Sequence, residues 1–236
     1  LLHSWIDGTP SRAGDEPIGA FLDDVAGLGN ALVSLHAATL EAHWLEEAVT
    51  LCNDVLDRFW DDDAGTVYDT ADDAERLVVR PRDEMDNATP YGTSLAAELL
   101  ARMGHLLNVD RYRVAARRIV DREAEALERF GPAFGRLLSV LDRLEADPVE
   151  VVIIGGDDEA TRALVRAAHA DFVPGLVIAG RIDDNPPPLA LLEGRTRQHG
   201  RPAVYVCAGY TCRLPVIDPR DVVEELRDAI GTPSSR

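Results

Sequence analysis

The fold is read outward from one stretch: Val78-Val79-Arg80-Pro81-Arg82-Asp83-Glu84-Met85-Asp86-Asn87-Ala88-Thr89-Pro90-Tyr91-Gly92-Thr93-Ser94-Leu95-Ala96-Ala97. A short apolar run leads into a charged turn, and the residues after Pro90 have the composition of a helix start. Carboxylates, one amide and several hydroxyls gather where a helix has unpaired backbone N–H groups and a positive dipole end. The stretch therefore predicts a polar-ligand site or a structural cap at a helix N-terminus.

Amphipathic helices flank this stretch on both sides. Apolar residues at helical spacing predict five helices, over residues 17–40, 43–60, 93–105, 110–129 and 132–144. The short breaks between the first and second helices and between the third and fourth predict two α-hairpins. Asp110 is the expected N-cap of the fourth helix. Two short strands are predicted around an acidic turn, at residues 66–70 and 76–79.

The pattern changes near Asp147. Apolar runs predict strands over residues 149–154, 172–179 and 203–207, and helices over 157–170 and 219–230. Strand–helix–strand spacing favours a small, parallel α/β unit, so the expected domains are residues 1–146 and 147–236. Gly155-Gly156 follows the first strand but lacks the G-x-G-x-x-G pattern, and acids come next. A structural turn is therefore favoured over a nucleotide site.

Charge excludes some classes of partner. All 24 basic residues are Arg, against 42 acids, for a net charge of −18. Nucleic acids and anionic membranes need a basic footprint, so neither is expected as a partner. A GC-rich genome explains Arg without Lys, whereas the excess of acids favours a halophilic, acidic proteome, in which molar salt screens repulsion within ~3 Å. No apolar run is long enough for a membrane span and no signal peptide is recognised, so a cytoplasmic location is expected. The chain begins with Leu, which suggests a piece of a longer protein.

The three cysteines fall into two groups. Cys52 lies on an apolar helix face and is expected in the core. Cys207 and Cys212 could form a metal pair, a disulfide or two thiols. Zinc needs further ligands, and His199 is the only nearby histidine. Buried or loosely redox-active thiols are favoured in a reducing cytoplasm.

Four stretches in chain order resemble one family. They are Phe21–Ala26, Phe59–Gly65 with Tyr68, Met85–Ser94, and Tyr205–Cys212 with Pro215, Asp218 and Pro219. The family is that of thioredoxin-domain-containing or spermatogenesis-associated proteins, whose six-hairpin (α/α) toroid is similar to those of six-hairpin glycosidases and N-acylglucosamine 2-epimerases. The resemblance implies a mainly α chain, with a partial toroid and a small C-terminal α/β unit. It also implies two partners, an N-terminal thioredoxin-like domain and the remaining toroid hairpins. Asn87, Tyr91 and Thr93 stand where the family pattern has Gly, Ser and Asn.

The resemblance also implies a cleft suited to sugars at one end of the toroid. Sugar sites combine carboxylates with aromatic platforms. The predicted catalytic residues are Asp86 and Asp24, and the predicted substrate-binding residues are Tyr91, Thr89, Ser94, Asn87 and Tyr68. No metal or cofactor is expected. The acidic turn of residues 69–75 lacks the EF-hand pattern and is interpreted as a solvated loop.

Three functional alternatives stay open. A glycosidase needs two carboxyls at a set separation, which sequence spacing does not give. An epimerase would use a pair of histidines, and none of the six lies in a polar loop like residues 86–94, so a hydrolase is favoured over an epimerase. The third alternative is a non-enzymatic scaffold that presents the thioredoxin-like domain to client proteins. In that case Asp24 and Asp86 would make only structural hydrogen bonds.

Overall fold

The chain is mainly α-helical with smaller sheets. The computed structural model describes residues 1–14, 16–75, 78–83, 85–86, 88–183, 187, 189–209 and 211–231. Its first compact unit comprises residues 1–31, 47–104 and 110–141. Its second unit comprises residues 32–46, 105–109 and 142–236. Some helical residues thus group with the C-terminal part of the chain, and the sequential division at residue 146 stays a prediction.

The predicted helices are present, with shifted ends. They are α1 Leu22–Thr39, α2 His43–Asp54, α3 Gly92–Leu106, α4 Asp110–Arg122, α5 Ala124–Phe130 and α6 Gly135–Glu145. A π-helical turn, Val55–Phe59, continues α2, and a 3-10 turn, Gly131–Phe134, precedes α6. The helix predicted over residues 110–129 is interrupted at Glu123, where the backbone leaves helical geometry. Within the described residues, every helix is too short or too polar to span a bilayer.

The N-terminal residues form strands that the sequence did not predict. β1 Trp5–Ile6 pairs with β2 Thr9–Pro10, and β3 Arg12–Ala13 pairs with β4 Glu16–Pro17. The first helix was predicted to begin at Pro17 but begins at Leu22. The reason is a local cap, because the Asp24 carboxylate accepts the Phe21 backbone N–H at 2.9 Å.

The predicted strand over residues 76–79 is wrong where it can be judged. Val78 and Val79 are exposed and lie in a bend, and residues 76–77 fall outside the described part. The hairpin forms earlier instead, between β5 Trp60–Asp61 and β6 Thr66–Val67. Gly65 closes its turn with a φ of +68° and donates its N–H to the Asp61 carbonyl at 2.8 Å.

Helices α1 and α3 pack closely. A Cβ on Gly29 would lie 2.5 Å from a Leu99 methyl, so a larger residue at position 29 would require the Leu99 side chain to shift. Asn30 is buried and donates to the Leu95 carbonyl at 2.9 Å. Arg102 donates in turn to the Asn30 carbonyl at 3.0 Å. The buried Asn30 and the half-buried Arg102 therefore link the two helices by hydrogen bonds.

The second unit contains a mixed sheet, which corrects the expectation of a parallel one. Its strands are β7 Val149–Ile154, β8 Val177–Arg181, β9 Ala203–Ala208 and β10 Thr211–Cys212, in the order β10-β9-β7-β8. β7 and β8 are parallel and are joined through α7 Glu159–Ala168. β9 runs antiparallel to β7. Between β8 and β9 the described residues form only a short 3-10 turn, Ala190–Leu192. The chain therefore enters β9 at the same edge of the sheet at which it leaves β8, which makes β9 antiparallel to β7 and β8.

One face of this sheet carries the core of the second unit. Alternate residues of β7 and β9, such as Ile153 and Val204, pack with Leu164 of α7 and Leu226 of α8, which spans Pro219–Gly231. Leu40 joins the same cluster. The period-two alternation of the strands places the other side chains, including Tyr205 and Cys207, on the opposite face.

The cysteine prediction is corrected here. Cys207 and Cys212 form a disulfide rather than two thiols, with Cα atoms 4.0 Å apart. They are directly opposite each other across β9 and β10, so their side chains point to the same face. Among the described residues, no group of His, Cys, Asp and Glu is arranged to hold a metal ion. Cys52 is buried as a free thiol, as expected.

Candidate functional site: an acidic cleft at two helix starts

Asp69 ties together three segments of the first unit. Its backbone N–H donates to the Pro81 carbonyl at 3.0 Å, and its carbonyl accepts the Leu22 N–H at 2.9 Å. Its side-chain Oδ2 accepts the Asp83 N–H at 2.8 Å. Asp69, which lies two residues after β6, therefore holds the start of α1 and the loop before α3 together.

A cavity of about 330 Å³ lies between these segments, and we call it the acidic cleft. Its walls combine carboxylates, hydroxyl-bearing side chains and apolar surfaces: Asp23, Asp69 and Asp83; Thr70, Thr89 and Tyr91; Phe21, Pro81, Met85 and Pro90. Gly92 also lines it, and a Cβ there would lie 3.2 Å from the Asp23 nitrogen. The N-termini of α1 and α3 thus approach closely at the cleft, and their positive dipole ends favour nearby carboxylates.

Asp69 is the electrostatically unusual group of the cleft. Burial raises its pKa above the ordinary value of 3.8, and the negative charges of Asp83 and Asp23 raise it further. The Asp83 backbone N–H and the charge of Arg82 act in the opposite direction, and the raising effects win. The carboxyl is half-buried, so it remains in contact with the cavity while part of its hydration is lost. A carboxyl of this kind holds its proton at higher pH than an exposed one and can act as a general acid.

The two predicted catalytic carboxylates bind backbone groups. Asp86 accepts the Tyr91 N–H at 3.1 Å through Oδ1 and the Arg136 N–H at 2.9 Å through Oδ2. It thereby caps the starts of α3 and α6, beside a second, more open cavity. Asp24 caps α1 and also binds His3 Nδ1 at 2.7 Å. Neither residue is among those lining the acidic cleft.

The predicted substrate-binding residues are divided. Tyr91 and Thr89 line the acidic cleft, whereas Asn87 lies outside the described residues. Ser94 is fully buried, in the first turn of α3. Tyr68 lies apart from the cleft wall, with the Arg80 guanidinium 4.6 Å from its ring centre. The structure therefore brings together two of the four predicted residues that it describes.

Buried hydroxyls lie behind the cleft wall. The hydroxyls of Tyr91, Thr93 and Ser94 are buried, and no described residue meets hydrogen-bond geometry with them. Burial raises the pKa of Tyr91, while Ser94 lies near enough to the phenol to oppose that rise. Tyr91 therefore presents its ring to the cleft and not its hydroxyl. Such a ring can serve as an apolar platform.

One histidine lies beside the cleft. The His3 ring contacts the ring of Phe21, a cleft residue, with centroids 4.7 Å apart. Its hydrogen bond to Asp24 raises the pKa of His3. His36, in the second unit, is buried and has its pKa lowered by desolvation. His105 binds Glu150 there, at 2.7 Å.

Sequence reasoning missed Asp69. The sequence predicts a solvated acidic turn over residues 69–75, and Asp72 and Asp73 are exposed there. The available signal is the place of Asp69 two residues after β6, since side chains near strand ends often line sites. Its burial arises only when the α1 start and the loop before α3 fold over it.

Comparison with known proteins gives distant relatives. The chain is 27% identical to Spermatogenesis-associated protein 20 of Rattus norvegicus over 227 residues, covering 92% of this chain and 28% of that protein. The protein of the same name from Homo sapiens is 27% identical over 213 residues, or 86% of this chain and 27% of that protein. An uncharacterized protein of Caenorhabditis elegans is 27% identical over 210 residues, or 86% of this chain and 28% of that protein. No family model matches the chain. The chain thus spans little more than a quarter of these relatives, whose names mention neither a sugar nor a thioredoxin domain.

Proposed function

We propose that the acidic cleft binds a saccharide and that Asp69 supplies the proton for cleavage or rearrangement of the bound sugar. The observation that carries the proposal is the raised pKa of a half-buried carboxyl that faces two further carboxylates in one cavity. Glycoside hydrolysis uses such a pair, one carboxyl protonated and the other ionised. Asp23 and Asp83 are exposed and are the candidates for the ionised partner.

The remaining cleft residues suit a sugar. Phe21 and Tyr91 offer rings for the apolar face of a pyranose, and Thr70 and Thr89 lie among them with hydroxyls for its polar rim. Asp24 and Asp86 enter the proposal as the residues that fix the helix starts which form the cleft. A histidine-based epimerase is less well supported, because His3 is the one described histidine that we place beside the cleft wall.

The wider architecture belongs to the same proposal. From the resemblance noted in the sequence, we propose that these α-hairpins belong to a partial six-hairpin toroid, with the α/β unit following it. The distant relatives support that assignment at the level of their name. A thioredoxin-like domain and the missing hairpins would be supplied by the rest of a longer protein, as the 28% coverage of the rat relative allows.

A saccharide-array thermal-shift screen tests the proposal. The full chain is screened in molar KCl, and one class of sugar is expected to raise its melting temperature. Asp69→Asn is expected to abolish turnover of that sugar, because the amide cannot donate the proton. Asp121→Asn on α4, an exposed aspartate, is the matched control and should leave binding and turnover unchanged. No shift with any sugar in a folded protein would overturn the proposal.

We propose adaptation to a high-salt cytoplasm as a separate property of the surface. A net charge of −18 repels itself at low ionic strength, and molar salt screens that repulsion within ~3 Å. Thermal unfolding in increasing KCl is expected to move to higher temperature. A melting temperature that stays constant or falls as KCl increases would refute the adaptation.

A non-enzymatic scaffold is the second candidate. One observation favours it: the carboxylates of Asp24 and Asp86 accept hydrogen bonds from backbone N–H groups. In that case the polar loop would serve only to start helices. The scaffold role predicts that Asp69→Asn has no effect on any saccharide-dependent signal, since there would be none.

A further inference from the structure

The disulfide of the second unit lies in an accessible part of the sheet. We call the paired strands β9 (Ala203–Ala208) and β10 (Thr211–Cys212) the disulfide hairpin. β10 is the outermost strand of the sheet and is only two residues long. Cys207 is buried, with 2% of its surface exposed, whereas Cys212 is exposed. One sulfur is therefore open to an incoming nucleophile, and the other is sheltered behind it.

A cation contacts both sulfurs. Arg195 Nη2 lies 3.1 Å from Cys212 Sγ and 3.3 Å from Cys207 Sγ. The guanidinium is held by the Leu191 carbonyl and lies 5.8 Å from the ring centre of Tyr205. Among the described residues, no carboxylate forms an ion pair with it. Its positive charge is thus directed at the disulfide.

Two other charged side chains near the disulfide, those of Glu150 and Arg213, are paired with described residues. Glu150 is opposite Cys207 on β7, so its side chain shares that face, and its carboxylate binds His105 at 2.7 Å. Arg213 follows Cys212 and binds Glu225 at 2.8 Å and Asp228 at 3.5 Å. The Tyr205 hydroxyl donates to the Thr196 carbonyl at 2.8 Å. Arg195 therefore supplies the uncompensated charge at the sulfurs.

We propose that Cys207–Cys212 is a redox-active disulfide that exchanges with thiols, with Arg195 stabilising the sulfur that leaves. A thiolate of a dithiol attacks Cys212 Sγ and forms a mixed disulfide with it. The Cys207–Cys212 bond breaks, and its electron pair stays on Cys207 Sγ as a thiolate beside Arg195. The second thiolate of the dithiol then attacks its own mixed-disulfide sulfur and releases the Cys212 thiolate. The protein disulfide is reduced by two electrons, the dithiol is oxidised to a disulfide, and its two protons pass to the released thiolates or to solvent.

The first experiment measures reduction of the folded full chain by dithiothreitol between pH 5 and 9. Samples are quenched with acid, alkylated and mapped by peptide mass. The disulfide is expected to open without unfolding, and glutathione is expected to leave its mixed disulfide on Cys212. Cys52 is an internal control, because burial raises the pKa of its thiol to about 12 and it should stay unmodified in folded protein.

The second experiment isolates the role of Arg195. In the reduced chain, a thiol of the pair is expected to titrate below the ordinary value of ~8.5. Arg195→Gln is expected to raise that midpoint by about one unit, which lowers the thiolate fraction about tenfold. Arg195→Lys keeps the positive charge and should leave the midpoint close to that of the wild type. Arg201→Gln, which removes an exposed arginine shortly before β9, is the matched control. Cys207→Ser gives an independent measurement, because it leaves the exposed Cys212 thiol beside Arg195.

Three results would overturn the proposal. The first is a disulfide that resists dithiothreitol until the chain is denatured. The second is a pair of thiols that titrate at their ordinary pKa, both in the reduced chain and in Cys207→Ser. The third is an Arg195→Gln variant whose reduction rate and pH profile match those of Arg201→Gln. Saccharide binding has no part in these measurements, so they stand apart from the proposed function.

Discussion

The acidic cleft and the disulfide hairpin place reactive groups in opposite electrostatic surroundings. In the cleft, burial and the like charges of Asp83 and Asp23 raise the pKa of Asp69 above its ordinary value and so disfavour its ionised form. In the hairpin, the Arg195 cation contacts both sulfurs and favours a thiolate once the disulfide opens. The net charge of −18 is common to both regions and does not distinguish them. The chemistry of each site is set by the few charges within contact distance.

The comparison extends to two carboxylates of the same unit, Asp86 and Asp69. Asp86→Asn is expected to destabilise the protein by about 1–3 kcal/mol, because an amide has one acceptor oxygen and Asp86 accepts two backbone N–H groups. Urea unfolding measures the change. Asp121→Asn serves again as the exposed control. Unchanged stability in Asp86→Asn would mean that Asp86 does not hold α3 and α6.

Reduction of the disulfide is expected to cost about 2 kcal/mol, because it releases a short closed loop in the unfolded chain. The cysteines are five positions apart, so the loop is small. A domain of ordinary stability survives such a loss. Urea midpoints with and without reductant give the value, and Cys207→Ser should show no difference between the two conditions. Complete unfolding on reduction would make the disulfide purely structural and remove the contrast between the regions.

Asp69→Asn is expected to have the smallest effect, and of opposite sign to Asp86→Asn. The raised pKa of Asp69 means that its ionised form is disfavoured in the folded state. Its contribution to stability is fully present below the ordinary pKa of 3.8 and is lost as the pH rises through the folded-state value. The amide should therefore stabilise the protein at pH 7 by less than about 1 kcal/mol, since the half-exposed group is screened by solvent.

Melting curves of wild type and Asp69→Asn, recorded from pH 3 to 8, test this sign. The gain should vanish near pH 3, where Asp69 is protonated in both folded and unfolded chains. The amide keeps an oxygen to accept the Asp83 N–H, so that bond is not the cause of any change. A destabilised variant at pH 7 would show that the Asp69 charge supports the fold, contrary to the cleft interpretation.

Periodicity alone predicted most of the elements. The spacing of apolar residues gave the helices α1 to α4, and a continuous apolar run gave β7. The N-terminal hairpins and β5 were missed because strands of two residues carry no periodicity, whereas β6 lies within the strand predicted over residues 66–70. The mixed sheet was missed because strand direction depends on the connection between β8 and β9, which composition does not reveal.

The sequence predicted the position of the site in the chain better than it predicted which residues line it. The loop before α3 does form one wall of the acidic cleft, through Asp83, Thr89 and Tyr91. A carboxylate in a loop can serve as a helix cap or as a reactive group, and the amino-acid composition of the loop does not distinguish the two roles. Asp86, Asp24 and Asp69 all accept backbone N–H groups. Of the three, only Asp69 also lines the acidic cleft.

The sequence by itself determined the local features of this protein. They are the helices, the apolar strand β7, the acidic and Lys-free surface, and the place of a polar helix start at Gly92. These depend on residues close together in the chain. The tertiary structure alone decided that Asp69 would be half-buried among like charges and that Arg195 would meet Cys207 and Cys212. Those pKa shifts and contacts arise from groups distant in sequence, because burial and Coulomb interactions depend on distance in space.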